Sequence, residues 1–219
     1  IFLISSVTST NILSEISEKI GANWLDISNA LKLDKRIGKY AYLKPGLGIS
    51  GGNLERDLET FKNFTKFNKI YENYSKDIKK ISNYRKDWIY NQFKKITKNL
   101  KNSKKIGILG LTYKENTNSI KNSPSISFIK KILFHNKIKI NVYDPKIKKL
   151  LNYKSLNICK NIHSVMKNSA ILIIATPWKI FKKINPKKYP NIKVVIDPYN
   201  LINFPKNKIK KYKYLNMGN

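Results

Sequence analysis

Four short apolar runs in the second half of the chain constrain the fold more than any other feature of the sequence. They are rich in β-branched residues and span residues 106–111, 138–143, 170–175 and 192–196. Stretches with helical character, near Pro124 to Phe134 and Ile162 to Asn168, lie between them. Strands that alternate with helices form a mostly parallel sheet with helices on its faces. The pattern therefore predicts an α/β domain that binds its ligands beyond the carboxyl ends of the strands.

The first half of the chain has helical periodicity instead. Ile12, Ile16, Ile20 and Trp24 recur at four-residue spacing, Gly21 is a predicted helix end, and Asn23 is a predicted cap for a short helix. A three-four apolar stripe from Phe67 to about Asn99 predicts one long helix. That helix is either a core helix of this chain or a helix shared between subunits, and the pattern favours neither. We therefore predict a helical segment over 1–99 and an α/β domain over 104–219.

The charge of the chain suggests a nucleic-acid partner, but its distribution argues against one. The 219 residues include 44 lysines and arginines and 13 acidic residues, for a net charge of +31, and only Arg36, Arg56 and Arg85 are arginine. Arginine is the better planar reader of phosphate and guanine, and the lysines are spread over the whole length. We therefore interpret the charge mainly as solvated surface and expect no specific nucleic-acid partner.

Composition also limits the remaining classes of protein. The chain is 41% hydrophobic, which is too rich for a disordered tail. Its longest apolar run, Ala170 to Ala175, is far shorter than the ~20 residues of a spanning helix, so we expect no membrane partner. Cys159 is the one cysteine, which excludes an internal disulfide and fits a reducing, cytoplasmic compartment. We assign no metal ligands, see no signal peptide, and expect that an N-terminal part of a longer protein is missing.

A glycine-rich loop in the first half is a candidate phosphate-binding element. It runs Tyr42-Leu43-Lys44-Pro45-Gly46-Leu-Gly48-Ile-Ser-Gly51-Gly52 and ends where Asn53 opens a predicted helix. Four glycines in seven residues expose backbone N–H groups at the positive end of a helix, which suits a phosphate. Arg36 lies nearby in sequence and could close on a diphosphate. The alternatives are an ordinary surface turn for the loop and a surface ion pair for Arg36.

A polar loop after the first predicted strand is a second candidate. It carries Lys114 and Lys121, and Ser123-Pro124 then begins a helix. Lys114 follows the carboxyl end of the strand, where a binding crevice is expected. The loop is neither a Gly-x-Gly-x-x-Gly dinucleotide fingerprint nor a P-loop. Val142-Tyr-Asp144-Pro145, a strand that ends in a turn, is more often structural.

Together these motifs resemble those of the nucleotide-sugar dehydrogenase family, of the UDP-glucose/GDP-mannose type. Asp34-Lys-Arg36-Ile-Gly38 resembles the family's Asp-x-Arg-Ile-Gly element, and the glycine loop is similar to its Pro-Gly-x-Gly-Phe-Gly-Gly-Ser-Cys-x-x-Lys-Asp signature. Gly107 to Pro124 resembles the start of the family's C-terminal domain. Other landmarks follow in the family's order: Val142 to Pro145, Thr176-Pro-Trp178, Asp197-Pro-Tyr199-Asn200 and Tyr214 to Gly218.

The resemblance implies an architecture, a cofactor and roles for particular residues. The fold would be a central helical segment that builds a homodimer, followed by a Rossmann-like UDP-binding domain, with the NAD-binding domain missing. A UDP-sugar would be held by Arg36, the loop from Tyr42 to Gly52, Lys114 and Tyr199. Asp57 would act as a general base or its support, Lys114 would also serve the chemistry, and Lys121 would touch the NAD.

This sequence departs from the family's pattern at positions that carry the chemistry. The nucleophilic cysteine of Gly-Gly-Ser-Cys corresponds to Asn53, or to Leu54 if the register slides by one residue. An asparagine amide cannot capture an aldehyde as a thiolate does. The family's cofactor arginine is Lys121, the acidic residue two positions earlier is Ser119, and the substrate-contacting arginine of Asp-Gly-Arg-Asn is Tyr199.

Three functions remain open from the sequence. The first is part of an NAD-dependent UDP-sugar dehydrogenase that this fragment alone does not complete. The second is a nucleotide-sugar-binding relative without catalysis. The third is a basic nucleic-acid-binding module, for which a steep salt dependence of DNA binding at a saturable site would be the signature.

Overall fold

A computed structural model describes residues 1–98, 105–135, 138–150, 156–202 and 212–218. The chain forms two compact units: a helical unit of Ile1–Asp87 with Met217–Asn219, and an α/β unit of Trp88–Asn216. The boundary predicted between 99 and 104 lies outside the described residues. Within the described ranges, no helix is both long enough and apolar enough to cross a membrane.

The helical unit contains α1 (Phe2–Ile20), α2 (Trp24–Leu31), α3 (Asn53–Phe67) and α4 (Asn73–Lys86). The two predicted helix boundaries near its start are confirmed. Gly21 ends α1 in the left-handed conformation with φ of 74°, and the Asn23 side chain accepts a hydrogen bond from the Leu25 N–H. Residues of the chain's far end complete the unit, because Trp24 N–H donates to the Gly218 carbonyl at 2.9 Å.

Helix α1 buries a polar face, which the apolar periodicity did not predict. Ile12, Ile16 and Ile20 are exposed, whereas the buried residues are mostly small and polar: Ile4, Thr8, Thr10, Asn11, Ser14 and Ser17. The reason is hydrogen bonding, since Thr10 and Asn11 bond to the glycine-rich loop and Ser14 accepts from Arg85 of α4. The apolar stripe of α1 therefore lies on the surface of the unit.

The single long helix predicted from Phe67 to about Asn99 is wrong. Helix α3 ends at Phe67, α4 begins at Asn73, and α5 (Trp88–Thr97) follows α4 after Asp87. The break after Phe67 is a Schellman motif in which Lys69, rather than a glycine, takes the left-handed conformation at φ of 54°. Its two bonds run from the Lys69 N–H to the Lys66 carbonyl and from the Ile70 N–H to the Thr65 carbonyl. The apolar stripe continues through this break and so hides it.

The α/β unit is a six-stranded parallel sheet with helices. After α5 come β1 (Lys105–Leu109), α6 (Pro124–His135), β2 (Lys139–Tyr143), β3 (Leu156–Ile158), α7 (Ile162–Lys167), β4 (Ile171–Ile174), β5 (Val194–Ile196) and β6 (Lys213–Leu215). The strand order is β3-β2-β1-β4-β5-β6, and every neighbouring pair is parallel. The predicted α/β class and the four predicted strands, which are β1, β2, β4 and β5, are confirmed. Strands β3 and β6, three residues each, escaped prediction.

Strands β1 and β4 are adjacent at the centre of the sheet, where the chain order reverses. They pair from Ile106 with Ile171 to Leu109 with Ile174, and all these side chains are fully buried. In open α/β sheets such a reversal opens a crevice at the carboxyl ends of the two strands. Loops that follow β1 and β4 are therefore the ones positioned to hold a ligand.

Cys159, which follows β3, is buried as expected for a small apolar residue. Burial raises the pKa of the Cys159 thiol, so less of it is thiolate at neutral pH than in an exposed cysteine.

Candidate functional site

The glycine-rich loop of the helical unit is held in place by hydrogen bonds to two helices. The Tyr42 carbonyl accepts from Ser6 at 2.8 Å and from Thr10 at 3.2 Å. Asn11 accepts from the Gly46 N–H, and the Ser82 hydroxyl of α4 accepts from the Ile49 N–H, both at 2.8 Å. Leu47 and Ile49 are buried. The loop is therefore a packed element with a defined backbone path, not a loose surface turn.

Gly48 is the tightest point of this loop. It has φ of 70°, and a Cβ built there would lie 2.3 Å from the Ser82 carbonyl oxygen. We expect Gly48→Ala to destabilise the helical unit by about 2 to 4 kcal/mol, because it adds left-handed strain to a backbone clash. Urea unfolding measures the change, followed by the fluorescence of Trp24 in a background with Trp88→Phe and Trp178→Phe, which removes the other two tryptophans.

Gly46 provides the matched control for this substitution. No atom lies within 4 Å of a Cβ placed on Gly46, which is not among the positive-φ glycines. Gly46→Ala should therefore change the unfolding free energy by less than about 0.5 kcal/mol. Equal losses in the two variants would contradict the close packing of Gly48 on Ser82.

The loop leads directly into α3, whose first turns carry two of the predicted site residues. Asn53 is the first residue of α3, as predicted, and is exposed. Asp57 lies four residues further, on the same face of the helix, and its carboxylate is 3.7 Å from the Arg56 guanidinium. Glu55 accepts from Lys86 of α4 at 2.7 Å. An amide and a carboxylate are thus presented side by side at the end of the loop.

Arg36 is engaged with Asp34 in this structure. Its Nε and Nη2 donate to the two carboxylate oxygens at 3.0 and 2.6 Å, and the pair is exposed. The hydrogen bond with Arg36 lowers the pKa of Asp34, and that of Arg36 is raised in turn. An anion that binds Arg36 has to compete with this carboxylate for the guanidinium fork.

In the α/β unit, Lys114 lies in the loop that follows β1, at the carboxyl edge of the sheet. Its side chain is exposed, with the ammonium 5.6 Å from the centre of the Tyr113 ring. Gly110, with φ of 95°, lets the loop pass against Thr176, which follows β4. The Thr176 hydroxyl donates to the Thr112 carbonyl at 2.6 Å. The β1 and β4 loops are therefore joined beside Lys114, at the reversal in strand order.

Asp144 organises this edge, a role that the sequence did not predict. It is fully buried, and its Oδ2 accepts from Leu111 N–H at 2.8 Å, from Thr112 N–H and hydroxyl at 3.3 Å each, and from the Trp178 indole at 3.2 Å. Its Oδ1 accepts from the N–H groups of Lys146 and Ile147. One carboxylate thus ties together the loops after β1, β2 and β4. The Asp-Pro turn was the only signal in the sequence.

Asp197 has a similar place after β5. It accepts from Ile202 N–H at 3.0 Å, from the Tyr214 hydroxyl at 2.7 Å and from Tyr199 N–H at 3.2 Å. Burial raises the pKa of Asp197, against the effect of these hydrogen bonds, and burial and the Asp197 charge raise the pKa of Tyr214. The backbone N–H of Tyr199 is held by its hydrogen bond to Asp197, and the Tyr199 hydroxyl lies 3.4 Å from the Ala175 carbonyl oxygen.

The predicted site residues fall into two sets, one in each unit. The helical unit holds Arg36, Tyr42, Leu43, Lys44, Pro45, Gly46, Gly48, Gly51, Gly52, Asn53 and Asp57. The α/β unit holds Lys114, Lys121 and Tyr199, with Lys121 exposed just before α6. Burial raises the pKa of Tyr42. Across the parts of the chain that the structure describes, no three His, Cys, Asp or Glu side chains form a group that could hold a metal ion.

Known proteins match both units. Residues 1–84 match the central domain of the UDP-glucose/GDP-mannose dehydrogenase family, and residues 107–204 match its UDP binding domain. A UDP-glucose 6-dehydrogenase of Rickettsia felis is 29% identical over 227 residues, which cover 99% of this chain and 50% of that protein. UDP-glucose 6-dehydrogenase 3 of Oryza sativa is 26% identical over 92% of this chain and 48% of its own length.

Solved structures match the fold over nearly the whole chain. A UDP-glucose dehydrogenase from Pyrobaculum islandicum has a TM-score of 0.81 at 22% identity and covers 98% of this chain and 48% of its own. A UDP-D-ManNAc dehydrogenase from Pyrococcus horikoshii has a TM-score of 0.79 at 19% identity, over 99% of this chain and 49% of its own. The chain thus spans about half the length of the relatives it matches. It belongs to the UDP-glucose/GDP-mannose dehydrogenase family.

Proposed function

We propose that this chain supplies the central and UDP-binding domains of an NAD-dependent enzyme that oxidises the CH–OH group of a UDP-sugar. The observation that carries the proposal is the match of both domain models, in the family's order, to residues 1–84 and 107–204. The relatives named above are dehydrogenases of about twice the matched length. We therefore assign the activity to a longer protein that contains this chain.

The proposal gives each unit its own part in binding the substrate. In the helical unit, the N–H groups of the loop from Tyr42 to Gly52 and the guanidinium of Arg36 would bind phosphate. In the α/β unit, the Lys114 ammonium and Tyr199 at the carboxyl edge of the sheet would bind the nucleotide-sugar. Asp57 is exposed at the end of the loop and would accept a proton, directly or through a water.

The residues of this chain do not by themselves fit an NAD site. The pattern Gly-x-Gly-x-x-Gly occurs at Gly46 to Gly51, but in the described residues 1–98 it follows helix α2 and not a strand, so it lacks the strand–turn–helix setting of a dinucleotide site. Lys121, an exposed ammonium, offers a single charged contact without an arginine fork. NAD would accept hydride from the sugar and would be held mainly by a domain outside this chain. Lys121 would contribute attraction to its phosphates.

Asn53 sets the expected course of the oxidation. Removal of a hydride and a proton from the primary alcohol gives an aldehyde, and a second oxidation to the acid requires an adduct at that carbon. A thiolate forms such an adduct, whereas an amide does not. We therefore expect at most one NADH per UDP-sugar from the natural protein, or a slow second step through the aldehyde hydrate.

The test is the yield of NADH per UDP-sugar in a full-length protein that contains this chain. Asn53→Cys should raise the rate of the second oxidation by about tenfold or more, which corresponds to about 1.4 kcal/mol of barrier. Leu54→Cys tests the register that is shifted by one residue. Asn63→Cys is the matched control, because it places a thiol at an exposed asparagine further along α3 and should leave the yield unchanged. Two NADH per sugar at an ordinary rate from the natural protein would refute the assignment of Asn53.

A second candidate function is nucleotide-sugar binding without catalysis. Asn53, Lys121 and Tyr199, which stand where the family pattern has a cysteine and two arginines, favour this candidate. Calorimetry with UDP and an assay for NADH distinguish the two functions. A binding protein would bind UDP more weakly after Lys114→Ala but not after Lys130→Ala. Neither the natural protein nor its Asn53→Cys variant would then produce NADH. Lys130 is an exposed lysine of α6 and serves as the control.

We also propose that the helical unit forms a homodimer in the cytoplasm. The exposed apolar side chains of α1, which include Ile12, Leu13, Ile16 and Ile20, support this proposal. The lone buried cysteine is consistent with a reducing compartment. Sedimentation equilibrium should give twice the mass of one chain.

A further inference from the structure

The connection between α3 and α4 exposes a cluster of large apolar side chains. We define the α3–α4 tip as residues 61–74. Phe67 is 87% exposed, Tyr71 70%, Phe64 66% and Ile70 60%. Four large apolar side chains within eight residues are therefore exposed to solvent. Exposed apolar patches of this kind mark sites of interaction.

The tip is an ordered element. The Schellman motif at Lys69 closes the end of α3, and the Asn68 side chain also donates to the Phe64 carbonyl at 2.9 Å. Phe61 and Tyr74 meet edge to face across the turn, with ring centres 6.1 Å apart. The backbone of the turn that carries the exposed apolar side chains is therefore held in one conformation.

Lysines surround these apolar side chains in excess over acids. Residues 59–80 contain six lysines and three acids, and each acid pairs with a lysine: Glu59 with Lys62, Glu72 with Lys76 and Asp77 with Lys80. Lys66, Lys69 and Lys79 have no ion-pair partner among the described residues. Four lysines, Lys62, Lys76, Lys79 and Lys80, also line a cavity of about 320 Å³ between α3 and α4. The tip thus presents aromatic rings beside unpaired positive charge.

This combination favours one kind of partner. A second copy of the tip would bring its lysines against these lysines, and like charges repel each other. The apolar face of α1 differs from the tip in this respect, because its flanking lysine is Lys19. Arginine recognises the phosphates of a nucleic acid better than lysine does, and no arginine lies between residues 57 and 84. A bilayer that contains anionic lipids satisfies both features, because aromatic side chains settle at the headgroup level while lysine ammoniums reach the phosphates.

We propose that the α3–α4 tip docks onto an anionic lipid surface. Phe64, Phe67, Ile70 and Tyr71 enter the headgroup region, and Lys66 and Lys69 contact lipid phosphates. The attachment is peripheral and reversible, because its electrostatic part is screened by salt. This inference replaces the sequence-based expectation of no membrane partner, and it does not depend on the proposed enzymatic function.

Vesicle sedimentation tests the proposal. The purified chain should sediment with vesicles of phosphatidylcholine mixed with phosphatidylglycerol, should stay in the supernatant with phosphatidylcholine alone, and should be released by high salt. Phe67→Ser with Tyr71→Ser should weaken binding by about tenfold or more. Phe2→Ser is the matched control, because Phe2 is an aromatic residue of α1 that is 94% exposed, and this variant should bind like the natural chain.

A second variant separates charge from apolar contact. Lys66→Gln with Lys69→Gln keeps the aromatic side chains and should weaken binding to the anionic vesicles and reduce its salt dependence. Equal binding to neutral vesicles, or unchanged binding by the Phe67/Tyr71 variant, would overturn the proposal. Loss of a dimer or of oligonucleotide binding in that variant, with vesicle binding absent from the natural chain, would assign the tip to a second copy or to a nucleic acid instead.

Discussion

Asp144→Ala is expected to destabilise the α/β unit by about 3 to 5 kcal/mol. The substitution leaves the buried N–H groups of Leu111 and Thr112 and the Trp178 indole without their acceptor, and each buried unpaired donor costs about 1 to 3 kcal/mol. It also releases the β1 loop from the loop after β4. The UDP binding that we propose at Lys114 should therefore weaken even under conditions where the protein stays folded.

Asp144→Asn and Asp77→Ala are the controls. The amide of the first keeps one oxygen acceptor and the size of the side chain, so we expect a smaller loss than with alanine. Asp77 is an exposed aspartate in a surface ion pair, and its replacement should cost less than about 1 kcal/mol. Urea unfolding of all three variants gives the comparison, and an Asp144→Ala protein within 1 kcal/mol, roughly, of the natural chain would mean that the loops do not depend on this carboxylate.

Arg85→Ala is expected to destabilise the helical unit by about 3 kcal/mol or more. Arg85 is the largest fully buried side chain, 1% exposed, and it donates to Glu18 at 2.9 Å, Ser14 at 3.1 Å and Glu15 at 3.4 Å. Its removal takes the buried cation away from the two carboxylates that lie against it, a change that is far more costly than loss of an exposed pair. Unfolding followed by Trp24 fluorescence measures this loss in the helical unit.

Arg56 offers a control of the same residue type. Its pair with Asp57 is exposed, so Arg56→Ala should cost less than about 1 kcal/mol. Replacing Arg85 by Met together with Glu15→Gln and Glu18→Gln removes all three charges and should recover part of the stability. If the single and triple variants are equally destabilised, Arg85 stabilises the unit through its packing and not through its charge.

The sequence predicted the parallel sheet because continuous β-branched runs such as Ile171 to Ile174 have few alternatives to a buried strand. It did not predict the edge strands β3 and β6, because they are only partly buried and lack the continuous apolar run that marks the equally short but buried β5. The end of α3 was missed since Lys69 occupies a position where glycine is the usual signal. Apolar periodicity indicated a helix at α1 but not which of its faces is buried. That is decided by the hydrogen bonds that Thr10 donates to the Tyr42 carbonyl and that Asn11 accepts from the Gly46 N–H.

The candidate site likewise contains residues that local sequence rules predict and residues that they do not. The glycine loop and Lys114 follow from local rules, namely glycines before a helix and a lysine after a central strand. Asp144 and Arg85 have no such rule, because their partners lie far away in the sequence: Asp144 bonds to Leu111 and Trp178, and Arg85 to residues of α1. Contacts of that kind depend on the tertiary fold and leave no periodic pattern.

The hydrogen bond between Glu18 and the Gly218 N–H joins residues that are 200 positions apart, at 2.8 Å. The whole α/β unit is therefore an insertion between the two segments that build the helical unit. During synthesis at about 5 to 20 residues per second, Glu18 and Trp24 wait on the order of 10 s or more for Gly218 to be made. The central strands of the inserted sheet thus have the opportunity to form first, because the segment that completes the helical unit is synthesised after the last strand.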